Sequence, residues 1–100
     1  MTNGINKTPP NDHEAEAAVL GSVLLENNSL SECLPIIGPD DFYSERNKII
    51  FRALIEIADS GKPIDVIILS NFLKERGSLD KIGGQLYIAG LLDSTPSSVH

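Results

Sequence analysis

A single cysteine, Cys33, is all the chain contains. No intramolecular disulfide can staple it, and a reduced cytosolic setting fits best. No apolar run approaches the ~18 residues that a membrane-spanning helix requires. The first eight residues are polar and lack the apolar segment of a secretory signal. Period-two alternation never persists long enough to define a strand. No glycine-rich loop is backed by the Lys and Ser or Thr of a phosphate cradle. Gly83-Gly84 lacks the Lys, Pro63 removes a donor from Gly61-Lys62-Pro63, and both read as helix punctuation. Bases are scarce in the front half. Residues 1–45 hold Lys7 against eight acids, a net of −7, whereas residues 46–100 carry seven bases and six acids. A front half of that sign has no reason to approach nucleic-acid phosphate. It could meet a basic protein or simply keep the domain soluble, and solubility is the simpler reading.

The chain is rich in helical pattern. One hundred residues suit one domain. Met1 to Thr8 reads as a disordered lead, and Pro9-Pro10 stiffens the entry to the first helix. Asn11 and Glu14 have capping-box spacing, so Asn11 is the expected cap of that helix, which runs to about Glu26. It is apolar almost all round. Ala15, Ala18, Val19, Ser22 and Val23 make one stripe, and Ala17, Leu20 and Leu24 make another. Such a helix should be enclosed on most sides, with Gly21 allowing close approach. A second helix should begin at a Ser29 cap and turn Leu30, Cys33 and Leu34 inward, with a kink at Pro35 and an end by Gly38.

Pro39-Asp40-Asp41-Phe42 reads as one helical turn. Ser44 should cap a third helix, from Glu45 to about Ser60, whose apolar face is Ile50, Ala53, Leu54 and Ile57, widened by Phe51 and Ala58. Gly61 ends it. Asp65 should cap a fourth helix to Arg76, with Leu69, Phe72 and Leu73 inward and Gly77 as its stop. The β-branched run Ile64 to Leu69 is ambiguous alone, but the Asp65 cap and the Gly77 stop favour helix. A short turn over Leu79 to Ile82 leads to a last helix from Gln85 to about Leu92. Thr95-Pro96-Ser97-Ser98 looks like a linker. The expectation is an all-α globular bundle of about six helices over residues 9–94. Leu20, Leu24, Leu54 and Phe72 should lie in its core.

No catalytic constellation emerges. Asp40-Asp41 supplies too few ligands for a metal and reads as a cap. Neither His13 nor His100 has a nucleophile or carboxylate partnering it in the sequence. Cys33 reads as a small core residue. Phe42-Tyr43 could stack a base, but the acids at 40, 41 and 45 favour a core anchor. Tyr87 reads as core with its hydroxyl at the surface. The expectation is therefore no catalytic, cofactor-binding or metal-binding residue.

Asp12-His13-Glu14-Ala15-Glu16-Ala17-Ala18-Val19-Leu20-Gly21-Ser22-Val23-Leu24 resembles the opening of bacterial DnaB-type replicative DNA helicases. Asp40-Asp41-Phe42-Tyr43 and Arg46 to Phe51 resemble that family's next block. Gly61-Lys62-Pro63-Ile64-Asp65, then Gly83-Gly84 with Tyr87-Ile88, then Thr95-Pro96-Ser97-Ser98 come after it in family order. Single blocks are unspecific, whereas five in order and spacing are specific. Three positions depart from the pattern. The family usually has His at Asn47, Thr at Ile68, and a helix-compatible residue at Pro35, differences expected to affect surface detail and not the fold.

The resemblance implies an all-helical N-terminal head. A helical hairpin, a linker and a RecA-like ATPase would come next, with residues 95–100 starting the connection. Such heads form a collar above a hexameric motor and a platform for primase. Implied partners are therefore primase and other helicase subunits, with DNA contacted only through the motor. ATP and magnesium would belong to that motor, in the bacterial cytoplasm. Self-association of these hundred residues should be weak, because the hairpin holds much of the dimer contact. Two residues are candidate partner contacts. Ile68 stands where the family often has a polar residue, and Tyr43 adjoins the Asp40-Asp41 turn; each also fits a core position. The competing reading is a free-standing helical DNA-binding module. It would want a basic recognition helix, and the fourth helix offers only Lys74 and Arg76, at its C-terminal end. A small enzyme would need convergent polar groups in a pocket.

Overall fold

A computed structural model describes residues 12–94. The expected lead over residues 1–8, the Asn11 cap and the connecting segment 95–100 lie outside the described residues. Among these described residues, five α-helices and one 3-10 turn occur in the order α1 His13–Leu25, α2 Asn28–Cys33, the turn Pro39–Asp41, α3 Glu45–Asp59, α4 Val66–Glu75 and α5 Gly84–Ser94. Among the described residues there is no strand. None of their helices is long and apolar enough to cross a membrane.

The core forms where the apolar faces of α1, α3, α4 and α5 meet. Leu20, Ile50, Phe51, Leu54, Leu69, Ile82 and Ile88 are fully enclosed there. Phe42, just after the 3-10 turn, closes one end of the core with its ring centroid 4.9 Å from that of Phe51. Leu20, Leu24 and Leu54 lie in the core as expected, but Phe72 is only half-buried. Its ring lies 3.7 Å under the Arg76 guanidinium, so one face is covered by a cation instead of by core.

The helix that carries most of the core is α3, not α1. Buried residues Asn47, Ile50, Phe51, Ala53, Leu54 and Ile57 run along its length, while Ala58 is exposed. In α1 burial is confined to Leu20, Gly21, Val23 and Leu24. Ala15 is exposed, and Ala18, Val19 and Ser22 are half-buried. The stripe headed by Ala15 is thus only partly covered. The most extensive helix–helix contact is between α1 and α5.

Local capping obeys the sequence unevenly. Asp65 caps α4, its carboxylate accepting the Ile68 N–H at 2.8 Å. Asp41 accepts the Gly38 N–H at 2.8 Å across the 3-10 turn. Gly61 and Gly77 take positive φ, +81° and +71°, at helix ends as their positions imply. For α1 the cap is Asp12, accepting the Ala15 N–H at 3.0 Å. Ser29 caps nothing. α2 starts at Asn28, and Asn27 at its N-cap position makes no side-chain capping bond, its amide being engaged elsewhere. Its Nδ2 donates to the carbonyls of Val23 (2.8 Å) and Ile64 (3.0 Å), and its Oδ1 accepts the Ile64 N–H at 2.8 Å. One amide thereby ties the end of α1 to the α3–α4 connection. α2 ends at Cys33 before Pro35, leaving Leu34 42% exposed and Cys33 half-buried, so the inward face expected there reduces to Leu30.

Candidate functional site

The two candidate contact residues lie at opposite ends of α3. Tyr43 precedes its first turn and is 59% exposed, while Phe42 beside it is buried, so the pair divides into one anchor and one surface residue. Ile68 is half-buried and packs on the core. It lines a cleft of about 450 Å³ between α3 and α4, with Ile57, Phe72, Glu56 and Arg76. Arg76 pairs with Glu56 at 3.2 Å there, but both side chains are about half-exposed. The pair therefore adds little stability. Fourteen residues of mostly helical chain between Tyr43 and Ile57 span ~20 Å. Tyr43 and the Ile68 cleft are therefore not adjacent, and only a partner covering much of the α3 length would touch both.

Between α1, α3 and α5 the chain builds a polar cluster that sequence reading did not find. Glu16 of α1 reaches the start of α3. Its Oε2 accepts the Tyr43 N–H at 2.6 Å, and its Oε1 accepts the Ser44 N–H at 3.3 Å and the Asn47 Nδ2–H at 2.8 Å. Ser44 stands at the N-cap position but makes no capping bond with its own side chain. The first N–H groups of a helix lack intrahelical partners and favour a negative charge, and the Glu16 carboxylate brings that charge to the α3 N-terminus from another helix. Asn47, fully enclosed, passes the network on. Its Oδ1 accepts the Tyr87 hydroxyl at 2.6 Å. The Tyr87 hydroxyl thus points inward and not to the surface, and the Asn47 departure from the family pattern falls in the interior.

The Arg46 guanidinium lies 4.3 Å over the Tyr87 ring. Gly83 makes room for both. At φ +101° a Cβ there would stand 3.1 Å from Arg46 Nη1 and from Tyr87 Cβ. Burial raises the Tyr87 hydroxyl above its usual pKa, opposed by Arg46 and by the bond to Asn47, and supported by the Glu16 charge. The cluster is fully hydrogen-bonded and holds no nucleophile paired with a base. Its chemistry is to fix three helices. Among the described residues no three His, Cys, Asp or Glu side chains are placed to hold a metal ion.

The described residues define an all-α domain of five helices around a single apolar core. The chain belongs to the DnaB-like helicase N-terminal domain family, whose family model matches residues 8–100. It is 42% identical over 94 residues to the replicative DNA helicase DnaB of Treponema pallidum, covering 94% of this chain and 22% of that protein. It is 36% identical to the replicative DNA helicase DnaB of Geobacillus stearothermophilus, covering 94% of this chain and 21% of that protein. The chain therefore spans about a fifth of the length of these relatives. Among solved structures, the N-terminal domain of DnaB helicase from Mycobacterium tuberculosis superposes with a TM-score of 0.85 at 32% identity, over 90% of this chain and 65% of that one.

Proposed function

We propose that this domain is the interaction head of a replicative DNA helicase. It would contribute to assembling the hexamer collar and to docking primase, within a parent protein that unwinds DNA at the expense of ATP. The observation that carries the reading is the family match over residues 8–100, to a domain found in proteins named replicative DNA helicases. Surface chemistry supports a protein-binding role. Tyr43, Ile67 and Leu86 are each more than half exposed, and apolar anchors dominate protein interfaces. A DNA-binding role finds no such support, since of the two bases at the C-terminal end of α4, Lys74 and the C-cap Arg76, Arg76 is engaged by Phe72 and Glu56.

Primase affinity and melting temperature, measured together on the variants Tyr43→Ala and Ile68→Lys, test the docking role. Tyr43→Ala should weaken primase binding and leave melting unchanged, because the side chain is exposed. Ile68→Lys should weaken binding too, with some loss of stability from its half-buried position. Unchanged primase affinity in both variants would remove these residues from the interface. Primase binding by the whole helicase that survives deletion of residues 12–94 would overturn the docking role itself.

A further inference from the structure

Negative charge and apolar exposure coincide in one stretch of the chain. Between Asp12 and Glu45 the chain has eight acids and no lysine or arginine. Four of the six large apolar side chains exposed among the described residues come from that same stretch: Leu25, Leu34, Ile36 and Tyr43. A groove of about 480 Å³ lies within it, walled by Ala15 and Val19 of α1 and by Ile36 and Ile37 of the segment after α2. Two carboxylates, Glu16 and Asp41, also line it. Both are held by neutral donors, Glu16 by Tyr43, Ser44 and Asn47, and Asp41 by the Gly38 N–H. The ion pairs among the described residues use Glu45, Asp40 and Glu56, so the charge at the groove has no cationic partner there. At its rim Ile36 is held 79% exposed.

We infer that this groove docks a basic amphipathic helix of a partner protein. An apolar stripe at i, i+3, i+4 and i+7 would seat on Ala15, Val19, Ile36 and Ile37, and flanking lysines or arginines would face Glu16 and Asp41. Helix-in-groove recognition needs an apolar trough, which is present. Strand addition needs a sheet edge, and the described residues contain no strand. A second copy of the chain would bring the same groove carboxylates, Glu16 and Asp41, against themselves, and like charges across an interface oppose association. Nucleic acid is repelled for the same reason. The inference goes beyond the docking role above and does not require the partner to be primase.

Two synthetic helical peptides with one identical apolar stripe, flanked by lysines in one and by glutamates in the other, test it when titrated into the chain and monitored by backbone amide shifts. The lysine-flanked peptide should bind at least about tenfold more tightly, lose affinity as salt is added, and move the amides of Ala15, Val19, Ile36 and Ile37. Ile36→Ser should weaken it about tenfold without lowering the melting temperature. Asp41→Asn, which keeps an acceptor for Gly38, should weaken the lysine-flanked peptide several-fold and leave the other unaffected, and it carries the test if Ile36→Ser proves to destabilise. Equal binding of both peptides would overturn the inference. So would shifts confined to the surface around Ile67 and Leu86, or self-association that perturbs the four groove amides without peptide.

Discussion

The two ends of α3 are closed in opposite ways. At its C-terminus everything is local. Gly61 turns at φ +81°, its N–H donates to the Ala58 carbonyl at 2.9 Å, and the Ser60 hydroxyl donates to the Ile57 carbonyl at 2.6 Å. At its N-terminus the donors of Tyr43, Ser44 and Asn47 converge on Glu16, a carboxylate 27 to 31 residues earlier in the chain. The near end is complete as soon as the helix forms. The far end is complete only when α1 is docked. A helix can therefore be autonomous at one terminus and conditional at the other, and its first turn then reports on tertiary structure.

Truncation in the middle tests whether the ends share one support. Leu54→Ala, at a fully enclosed site, should cost about 2–5 kcal/mol and accelerate amide exchange at both ends of α3 together. Protection lost at one end alone would mean the ends are already uncoupled. Glu16→Ala should cost about 2 kcal/mol, the range of hydrogen bonds to a charged acceptor. Its loss of exchange protection should be confined to Tyr43 through Asn47, and equal loss at Ser60 and Gly61 would break the contrast. Gly61→Ala should do the reverse, costing about 1–2 kcal/mol through the left-handed backbone and fraying only the C-terminal turn.

The smallest effect concerns the far side of the polar cluster. Tyr87→Phe removes one bond to buried Asn47 and should cost about 1 kcal/mol. It should also alter the pH dependence of folding. Burial raises the folded pKa of Tyr87 above its unfolded value, so the folded state keeps a proton that the unfolded state releases. The stability this group contributes is complete below the unfolded pKa of about 10 and is lost as pH rises through the folded value. Melting temperature should therefore fall above about pH 10, and less steeply in Tyr87→Phe; identical slopes would detach Tyr87 from the cluster.

Features governed by local chemistry are readable in the sequence. The Asp65 cap, the Gly61 and Gly77 stops, the Pro39 turn and the apolar face of α3 are all determined within a few residues. The features that escape depend on distance along the chain. Glu16 reads as one more first-turn acid of α1, and nothing nearby shows that it serves α3. Asn47 reads as a surface polar residue until Glu16 and Tyr87 are placed on either side of it. Spacing turns Phe72 and Leu34 inward, but spacing gives a face and not how much of that face a neighbour covers. The groove is out of reach for the same reason. Its walls come from α1 and from the segment after α2, and only the partial covering of the Ala15 stripe reveals them. Tyr43, marked in the sequence by its acidic neighbours, is exposed, while Ile68 is split between core and cleft.

The extensive contact between α1 and α5 has a consequence for synthesis on the ribosome. The first described helix to emerge finds its principal partner in the last. At about 5–20 residues per second, several seconds separate them. In that interval the half-apolar α1 has no permanent cover, and the Glu16 clasp on α3 must form on a scaffold still missing one wall. Closure of this core is thus set by α5, the last of the described helices to leave the exit tunnel.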